Sequence, residues 1–495
     1  MAGFRRGLLA GLAAGIVTAA VMEALAATIS LPALPQLLQV PLLAATPGPV
    51  FGFLIDHLQH WGKVVEEASL LVAMIVALGV LGGAAGVALE RRPGFRAGLA
   101  AAALAWLVIC LILLPLGGLG PFGLSAGLQV AVEWGLVMAV YALLWEALYA
   151  RGPATAVAHP GRRRLLALLP AAAAIGGLAV IGGFRLPVWY RTAVQPPEKA
   201  TGAVPEVTPA ANFYQVSKNI DDPVVDGKSW SLRVEGLVSH PLRLDARQLA
   251  ALPAVTQVYT LECISNEVGG PLMSTGRFTG VPLRDLLAMA APKSGATAVN
   301  FTSRDGYTET LPLHDVMASA DILVAYRLNG ADLPAAHGYP ARVIVPGHYG
   351  MKGPKWLDEI RLADSPAGGY WEGQGWNPAA PVRTIARIDT PANLDAVSRY
   401  GVTIAGVAFA GDRGIRAVEW STDGGASWQP AQLAAPLSAY TWVLWRADWS
   451  PPKIGVFKLV ARATDGHGTV QPDSFQPSFP SGSGGYHRVT VQVGL

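Results

Sequence analysis

Five long apolar windows near the start of the chain constrain its fold more than any other feature. They lie at residues 8–29, 68–89, 97–116, 125–149 and 165–184. Each has roughly the 20 residues that an α-helix needs to cross a bilayer. Beyond them the chain becomes rich in Trp, Tyr, Asp and Arg, as in an ordinary globular protein. The sequence therefore predicts an all-α transmembrane bundle of about five helices over residues 1–188, a linker over 189–211, and folded domains after it.

The positions of the basic residues predict how this bundle is oriented. Lys63 is the only Lys or Arg in the loops at one end of the windows. The loops at the other end contain Arg5, Arg6, Arg91, Arg92, Arg96, Arg151, Arg162, Arg163 and Arg164. Because short basic loops remain in the cytoplasm, we expect a cytoplasmic N-terminus and an extracytoplasmic location for everything after residue 184. The net charge of +3 reflects these loops and does not indicate nucleic-acid binding.

The polar residues of the membrane half give little sign of a cofactor. His57, His60 and His159 all lie in loops, so haem held by paired histidines is not predicted. Glu23 and Glu133 lie inside windows. An intramembrane carboxylate is a functional candidate, or else a protonated group that is hydrogen-bonded within the bundle. The second interpretation is favoured because the windows contain no basic residue, and anchoring is the expected role of this half.

One basic stretch before the fifth window has two interpretations. The sequence GRRRLLALL at 161–169 places paired arginines directly before leucines. It resembles a twin-arginine export signal, which carries folded proteins across a membrane. Ordinary positive-inside charge would give the same pattern. The choice between them depends on whether the exported part must fold before it crosses.

The chain after the linker shows two kinds of pattern. Up to residue 375, β-rich pieces such as SWSLRVEGLV alternate with short helical pieces such as LRDLLAMA, which predicts an α+β domain over 212–375. Beyond it, nearly every piece is typical of a strand, and turn sequences such as TDGG recur at strand-length intervals. This second pattern predicts an immunoglobulin-like β-sandwich over 376–495.

Cys263 is one of only two cysteines and lies in the polar stretch TLECISNEVGG. The other, Cys110, lies in the third window, so an exported Cys263 has no disulfide partner. It is a nucleophile, a soft-metal ligand or a buried core residue, and no histidine lies within ten residues to act as its base. The chain has no CxxC, HExxH or CxxCH motif. A zinc, iron–sulfur or c-type haem site is therefore not predicted, and a metal on Cys263 would need ligands from a cofactor.

A second stretch, at 337–360, has the composition of an anion-binding loop. It combines four glycines with the cationic or ionisable side chains of His337, Arg342, His348, Lys352 and Lys355. Backbone amides exposed by glycine, together with cations, suit a phosphate-bearing cofactor. A basic surface loop is the alternative. The position of the stretch, directly around an apolar strand, favours binding.

Several blocks in this half together resemble a known family. TLECISNEVGG, NFYQVSKN and the segment from DILVAYRLNG to GMKGPKWL resemble the molybdopterin-binding domain of the sulfite oxidase family. The segment at about 385–475, with VEWSTDGGASWQPAQL, resembles the immunoglobulin-like dimerisation domain of that family. The resemblance covers roughly residues 205–490, in the order of blocks that the family has, and leaves out the five windows.

The resemblance implies a molybdenum–molybdopterin cofactor and roles for particular residues. Cys263 matches the thiolate that binds molybdenum, and is thereby both a metal ligand and a catalytic residue. The matched cofactor-binding positions are Tyr214, Gln215, Cys263, Ser303, His337, Arg342, Gly353, Pro354 and Lys355. These types agree with the chemistry, since a soft thiolate suits a soft metal and cations suit a phosphate.

Two departures from the family pattern leave the substrate open. Sulfite oxidases have a short basic run after the cysteine, whereas Asn266 is followed here by Glu267. The arginine that those enzymes use soon after their FYV block has no match, and Lys218 is the nearest cation. We therefore expect Cys263, Lys218 and Glu267 at the reaction site and oxygen-atom transfer as the chemistry, with a small oxyanion or oxide as substrate.

The same reasoning predicts partners and leaves two alternatives. Electrons would pass to a cytochrome, a quinone or a membrane partner, and the sandwich would form a homodimer. A cofactor inserted in the cytoplasm requires folding before export, which favours the twin-arginine interpretation of Arg162, Arg163 and Arg164. The alternatives are a molybdoenzyme that reduces methionine sulfoxide and a non-catalytic surface-binding protein tethered to the membrane.

Overall fold

A computed structural model describes most of the chain as two compact units, Met1–Gln195 and Pro196–Leu495. The described residues are 2–29, 31–47, 50, 53–54, 58, 60–92, 96–124, 127–150, 160–193, 204–219 and 221–494. His57, Arg151 and His159 lie outside them. The helix that contains Arg162, Arg163 and Arg164 is described in its backbone, but these three side chains are not.

The first unit is helical. Its helices are α1 Ala2–Ile29, α2 Leu34–Ala45, α3 His60–Arg91, α4 Ala97–Val108, α5 Gln129–Ala150 and α6 Pro160–Ala193, and α4 continues through a π-helical turn, Ile109–Leu113, into Leu114–Leu116. Five stretches of these helices are long and apolar enough to cross a membrane: Ala2–Ile29, Trp61–Arg91, Ala97–Leu116, Gln129–Ala150 and Pro170–Tyr190. Each overlaps one of the five predicted windows.

Glycines allow the backbones of α1 and α3 to approach closely. A Cβ atom on Gly7 would overlap the carbonyl oxygen of Gly82, and one on Gly86 would overlap that of Gly3. Small residues at such contacts are the usual means by which membrane helices pack, because dispersion contacts replace the hydrophobic effect there. Gly82 and Gly86 thus lie in this contact.

Glu23 has a basic partner, which corrects the expectation drawn from the windows. The fifth window ends at residue 184, but α6 continues to Ala193 and carries Arg185 into the bundle. Arg185 Nε lies 2.5 Å from Glu23 Oε2, and Arg185 Nη2 lies 3.2 Å from Glu67 Oε1, with all three side chains at most 5% exposed. Trp189 Nε1 also donates to Glu67 Oε2. This buried cluster joins α1, α3 and α6, whereas Glu133 is only half-buried.

The first part of the second unit contains two five-stranded sheets. Its strands are β1 Ser231–Gly236, β2 Leu242–Asp245, β3 Val255–Glu262, β4 Met273–Pro282, β5 Ala298–Ser303, β6 Thr308–Pro312, β7 Leu323–Leu328, β8 Ala331–Asp332, β9 Arg342–Ile344 and β10 Leu357–Ala363. One sheet has the order β2-β1-β10-β5-β6, and the other has the order β3-β4-β7-β8, with β9 pairing to β7. Among these pairs β1–β10 is parallel and the others are antiparallel.

Short helices cover these sheets: α7 Ala246–Ala251, α8 Leu283–Ala290, α9 Leu313–Ala318 and α10 Tyr370–Gly373. The sequence of α8 explains why this helix packs against a sheet. Its buried residues are Leu283, Leu286, Leu287 and Ala290, a spacing that places all four on one helical face. Asp245 and Gln248 form a capping box that starts α7. The α+β prediction for this part is confirmed.

The second part is a sandwich of two sheets, with orders β11-β13-β17-β16 and β12-β19-β18-β14-β15. Its strands are β11 Ile385–Thr390, β12 Ala396–Ser398, β13 Val402–Phe409, β14 Ile415–Ser421, β15 Gln429–Pro430, β16 Gln432–Leu433, β17 Val443–Trp449, β18 Gly455–Asp465 and β19 His487–Gly494. Alternate residues of β17 are buried, as expected of a strand with one face on a core. The predicted β-sandwich is confirmed.

The sandwich contacts the strand and the loop around Cys263. Trp442 N donates to Thr260 Oγ1 at 2.8 Å, and Thr260 N donates to Tyr440 O at 2.9 Å. Arg387 Nη1 donates to Gly270 O at 2.9 Å. The two parts of the second unit therefore meet at β3 and at the loop that follows it.

Candidate functional site

Cys263 lies directly after β3, at the point where the strand gives way to a loop. Its N–H donates to Leu272 O at 2.9 Å, and its carbonyl accepts from Asn266 N at 2.9 Å, so the backbone on both sides is fixed. The Sγ atom is 3.1 Å from Ser265 Oγ, and the residue is partly exposed. The thiol is therefore held in place and remains reachable from outside.

Two buried polar side chains support this loop from behind. Asn266 Nδ2 donates to Glu262 Oε1 at 3.0 Å, and Asn266 Oδ1 accepts from Leu272 N at 2.9 Å. Burial raises the pKa of Glu262 to about 7, although the bond from Asn266 and the charge of Arg387 both act to lower it. The Oε2 atom of Glu262 has no hydrogen-bond partner among the described residues.

Tyr214 lies close to both the thiol and a buried guanidinium. Burial raises the pKa of its hydroxyl above the usual range, the charge of Cys263 raises it further, and Arg342 lowers it. Tyr214 N donates to Ser274 Oγ at 3.0 Å. A Cβ atom on Gly350 would lie only 2.6 Å from Tyr214 Oη, so glycine is needed for this close approach.

Arg342 is a deeply buried cation of the site. It begins β9, is 6% exposed, and donates from Nη1 to His337 O at 3.3 Å and from Nη2 to Gly353 O at 3.4 Å. Burial lowers its pKa to about 10, which leaves it charged at neutral pH. Its Nε and the Oγ of Ser303 are buried without hydrogen-bond partners among the described residues. Unsatisfied buried groups cost free energy, so both atoms are suited to hydrogen bonds with a polar ligand.

His337 and Lys355 are brought next to Arg342 by Gly338. That glycine has a φ of 107°, and a Cβ atom on it would lie 3.1 Å from both Arg342 Cβ and Lys355 Cα. Burial and the charges of Arg342 and Lys355 lower the pKa of His337 to about 4, so its ring is neutral at pH 7. Lys355 Nζ donates to Ser217 Oγ at 2.6 Å and to Ala336 O at 3.0 Å.

Gly353 and Pro354 attach the following segment to β9. Val343 N donates to Pro354 O at 2.9 Å. A Cβ atom on Gly353 would lie 2.7 Å from Val343 O. His337, Arg342, Gly353, Pro354 and Lys355 thus form one connected cluster, as the sequence suggested.

Two further predicted residues, Gln215 and Lys218, have side-chain partners outside this cluster. The Gln215 side chain is hydrogen-bonded to Asp222, because its Nε2 donates to Asp222 Oδ2 at 2.6 Å. Lys218 is 6% exposed, donates to Asn219 Oδ1 at 2.8 Å, and lies 5.3 Å from the ring centre of Tyr370. Burial lowers the pKa of Lys218, while the nearby Asp305 raises it. Lys218 is therefore a buried cation whose partners lie inside the protein.

Glu267 is exposed, in contrast to the buried Glu262 on the other side of Cys263. Its backbone carbonyl accepts from Gly270 N at 2.8 Å, which closes the turn after the thiol. Its side chain thus places a carboxylate on the outer side of the Cys263 loop.

The structure adds residues that the sequence reasoning did not select. Tyr307 and Tyr349 are buried, and the charge of Cys263 is among the causes that raise the pKa of each. Tyr349 lies within the predicted anion-binding stretch, which was a usable signal. No sequence pattern pointed to Tyr307, because it lies far from Cys263 in sequence and only the fold brings the two residues together.

Lys352 is already paired with two carboxylates. Its Nζ lies 2.5 Å from Glu309 Oε1 and 2.8 Å from Glu372 Oε1, and Lys352 and Glu309 are both buried. It therefore fastens β6 to α10 instead of serving as a free cation for a ligand.

The donor set is suited to a cofactor that brings its own metal ligands. Among the described residues, no group of three or more His, Cys, Asp and Glu side chains could hold a metal ion. A single thiolate at Cys263, a buried Arg342 with an unsatisfied N–H, and glycines that leave room beside it fit a metal carried by a phosphate-bearing group.

Comparison with known proteins identifies this arrangement. Residues 219–371 match the oxidoreductase molybdopterin binding domain family, and residues 381–494 match the Mo-co oxidoreductase dimerisation domain family. The mitochondrial sulfite oxidase of Mus musculus is 29% identical over 348 residues, which cover 60% of this chain and 63% of that protein. The sulfite oxidase of Arabidopsis thaliana is 27% identical over 351 residues, which cover 58% of this chain and 88% of that protein.

A solved structure supports the same fold. The sulfane dehydrogenase SoxCD from Paracoccus pantotrophus matches with a TM-score of 0.50 and 24% sequence identity, covering 56% of this chain and 76% of that chain. The fold and the site together define a molybdopterin-binding oxidoreductase. Over residues 219–494 the chain is similar to the sulfite oxidase family. It spans 63% of the length of the mammalian sulfite oxidases that it matches.

Proposed function

We propose that this protein is a membrane-anchored, outward-facing oxidoreductase that uses a molybdenum–molybdopterin cofactor for oxygen-atom transfer. The observation that carries the proposal is the buried Arg342, whose Nε has no partner among the described residues and which shares Tyr214 as a neighbour with the Cys263 thiol. A thiolate and a buried anion-binding group close to the same tyrosine match the needs of a metal attached to a phosphate-bearing pterin.

The residues of the site have distinct roles in this proposal. Cys263 supplies the protein's thiolate to molybdenum. Ser303, His337 and Arg342 hold the pterin and its phosphate, with Gly353, Pro354, Lys355, Tyr214 and Gln215 around them. When bound, the cofactor exchanges an oxygen atom and two electrons with the substrate. The neutral ring of His337 can donate or accept one hydrogen bond, while Arg342 keeps its charge at neutral pH.

The charges around the thiol bear on the choice of substrate. Glu267 places a carboxylate on the Cys263 loop, and Lys218 is enclosed beside Asp305. The carboxylate of Glu267 would repel an approaching dianion, and the enclosed Lys218 would attract it only weakly. We therefore propose a small oxide, such as a sulfoxide or an N-oxide, ahead of an oxyanion such as sulfite. A methionine-sulfoxide reductase is one particular case within this substrate class.

The remaining parts of the proposal concern partners and placement. We place the domain boundaries after residues 188, 211 and 375, as in the sequence prediction. The five apolar helices support anchoring in a membrane, and the arginine distribution supports a cytoplasmic N-terminus. Electrons pass to or from a separate cytochrome, quinone or membrane protein, and the sandwich, which matches a dimerisation domain family, forms a homodimer.

Export of the folded domain is expected to depend on the arginines before α6. Changing Arg162, Arg163 and Arg164 to lysine keeps the positive charge but removes the guanidinium pair that a twin-arginine signal requires. We expect the cofactor-loaded domain to remain on the cytoplasmic side, as measured by protease accessibility in spheroplasts. Changing Arg91 and Arg92 to lysine is the matched control and should leave export unchanged. Normal export of a loaded domain in the first variant would contradict the signal.

Cofactor analysis of the purified full-length protein tests the proposed function. We expect about one molybdenum and one pterin per chain. Arg342→Met should lower both severalfold, because it removes the buried guanidinium. Arg304→Met is the matched control, since Arg304 is half-exposed and pairs with Asp358 at 2.6 Å, and it should leave the cofactor content unchanged. Less than about a tenth of a molybdenum per chain in the wild type would leave the non-catalytic binding protein as the better interpretation.

A substrate screen separates the candidate activities. Sulfite, sulfoxides and N-oxides are each offered to the loaded protein with a redox dye that reports electron flow. The charge argument predicts faster turnover of neutral oxides than of sulfite, and Glu267→Gln should selectively improve sulfite. Faster sulfite turnover in the wild type, unchanged in Glu267→Gln, would overturn the proposed substrate class while leaving the cofactor assignment intact.

A further inference from the structure

A cavity of about 340 Å³ lies at one end of the helical unit, where four helices meet. Its walls include Arg6 near the start of α1, Leu89 near the end of α3, Arg96 before α4, and Trp145, Glu146 and Tyr149 near the end of α5. None of these residues takes part in the cofactor site. In the proposed topology this end of the bundle faces the cytoplasm.

The guanidinium of Arg6 is positioned but not fully satisfied. Its Cζ lies 4.6 Å from the ring centre of Tyr149, and its Nη2 donates to Tyr149 O. Its Nε is buried and has no hydrogen-bond partner among the described residues. An N–H group of a charged side chain that is held in this way gains most from an anionic acceptor.

The rest of the cavity also favours an anion. Arg96, directly before α4, adds a second cation to the lining, and its own side chain makes no capping hydrogen bond to that helix. Glu146 is the one carboxylate among the lining residues of this cavity. The two guanidiniums outnumber it, which gives the lining a net positive charge.

The walls between these charges are apolar and aromatic. Trp145 and Tyr149 stack at 4.8 Å between ring centres. Their polar atoms are used inside the bundle, since Trp145 Nε1 donates to Gly7 O at 3.1 Å and Tyr149 Oη donates to Gly86 O at 3.3 Å. Leu89 completes this wall. A free phosphate would leave these apolar surfaces against water, whereas a lipid would cover them with glycerol and acyl carbons.

We propose that this cavity binds the phosphodiester headgroup of an anionic phospholipid, such as phosphatidylglycerol. Arg6 and Arg96 contact the phosphodiester, and the rings of Trp145 and Tyr149 flank the glycerol and the first acyl carbons. Basic pockets between helices on the cytoplasmic side of a membrane protein are suited to such headgroups. The inference rests on the proposed membrane placement and not on the proposed reaction.

Lipid titration of the full-length protein in detergent tests this site. Short-chain phosphatidylglycerol, short-chain phosphatidylcholine and inorganic phosphate are the three probes, and native mass spectrometry measures occupancy. We expect phosphatidylglycerol to bind more tightly than the other two. The double variant Arg6→Gln/Arg96→Gln should weaken phosphatidylglycerol binding by about tenfold or more, because each charge-assisted hydrogen bond accounts for roughly that factor.

Two further variants keep the test decisive. Arg5→Gln/Arg91→Gln is the matched control, because both arginines are exposed and outside the cavity lining, and affinity should stay within about twofold. Glu146→Gln removes the opposing carboxylate and should strengthen binding severalfold, which tests the site even if the double variant fails to fold.

Three outcomes would overturn the proposal. Equal binding of phosphatidylcholine would show that headgroup charge is irrelevant, and equal binding of inorganic phosphate would show a small-anion site in place of a lipid site. Equal losses in the double variant and in its matched control would show binding by general surface charge. Turnover measured with a redox dye is recorded in parallel, so a failure of the proposed reaction would be seen separately from a failure of the lipid site.

Discussion

Replacing Cys263 by serine is expected to lower turnover by at least about a thousandfold, which corresponds to about 4 kcal/mol of activation free energy. A serine hydroxyl is a harder and less readily ionised donor than a thiolate, so it is a poor ligand for a soft metal. The fold should survive, because Cys263 is partly exposed and its backbone makes the hydrogen bonds that fix the loop. Steady-state turnover with a redox dye measures the loss, and circular dichroism checks the fold.

The other cysteine provides the control for this experiment. Cys110 is buried in the helical unit, and Cys110→Ser makes the same chemical change far from the site in sequence. Turnover of the Cys110→Ser variant should match that of the wild type. Wild-type turnover in Cys263→Ser would remove the thiol from the reaction, even if the purified protein still contained molybdenum.

Replacing Arg185 by methionine is expected to lower the free energy of unfolding of the helical unit by about 3–5 kcal/mol. The change leaves Glu23 and Glu67 buried without the cation that joins them. A buried charge that has lost its partner is more costly than no charge at all. Unfolding in mixed detergent micelles, followed by tryptophan fluorescence, measures the difference.

A triple variant shows whether pairing or packing is responsible. Arg185→Met combined with Glu23→Gln and Glu67→Gln removes all three charges while nearly keeping their volumes, so most of the lost stability should return. Arg5→Met is the matched control at an exposed arginine, and it should change stability by less than about 0.5 kcal/mol. If the triple variant were as unstable as Arg185→Met alone, the charges would not be the cause.

The helical half was predictable from length and hydropathy, but the buried ion cluster of Arg185, Glu23 and Glu67 was not. A hydropathy window ends where a charge occurs, and so the fifth window stopped before Arg185. The helix itself continues, because Glu23 and Glu67 on other helices neutralise that charge. Hydropathy depends on residues that are neighbours in sequence, whereas this ion pairing joins residues on different helices that only the fold brings together.

The site shows the same division between local and long-range information. The polar residues after Cys263 are typical of a loop, and the structure has that loop directly after β3. The cluster from His337 to Lys355 was visible because its members are neighbours in sequence. Lys352 belonged to the same stretch but is paired with Glu309, which lies on a distant strand, and no local pattern could reveal that.

The contact between the sandwich and the Cys263 loop has a consequence for how the second unit can be altered. Arg387 holds the carbonyl of Gly270, and the ring of His487 occupies the space that a side chain on Gly269 would need. The loop that carries Cys263 is therefore built jointly by two domains that match separate family models. Exchanging the sandwich for that of a relative would disturb the thiol's surroundings unless Arg387, His487 and the glycine pair were exchanged together. The position of the Cys263 loop thus depends on contacts from both domains.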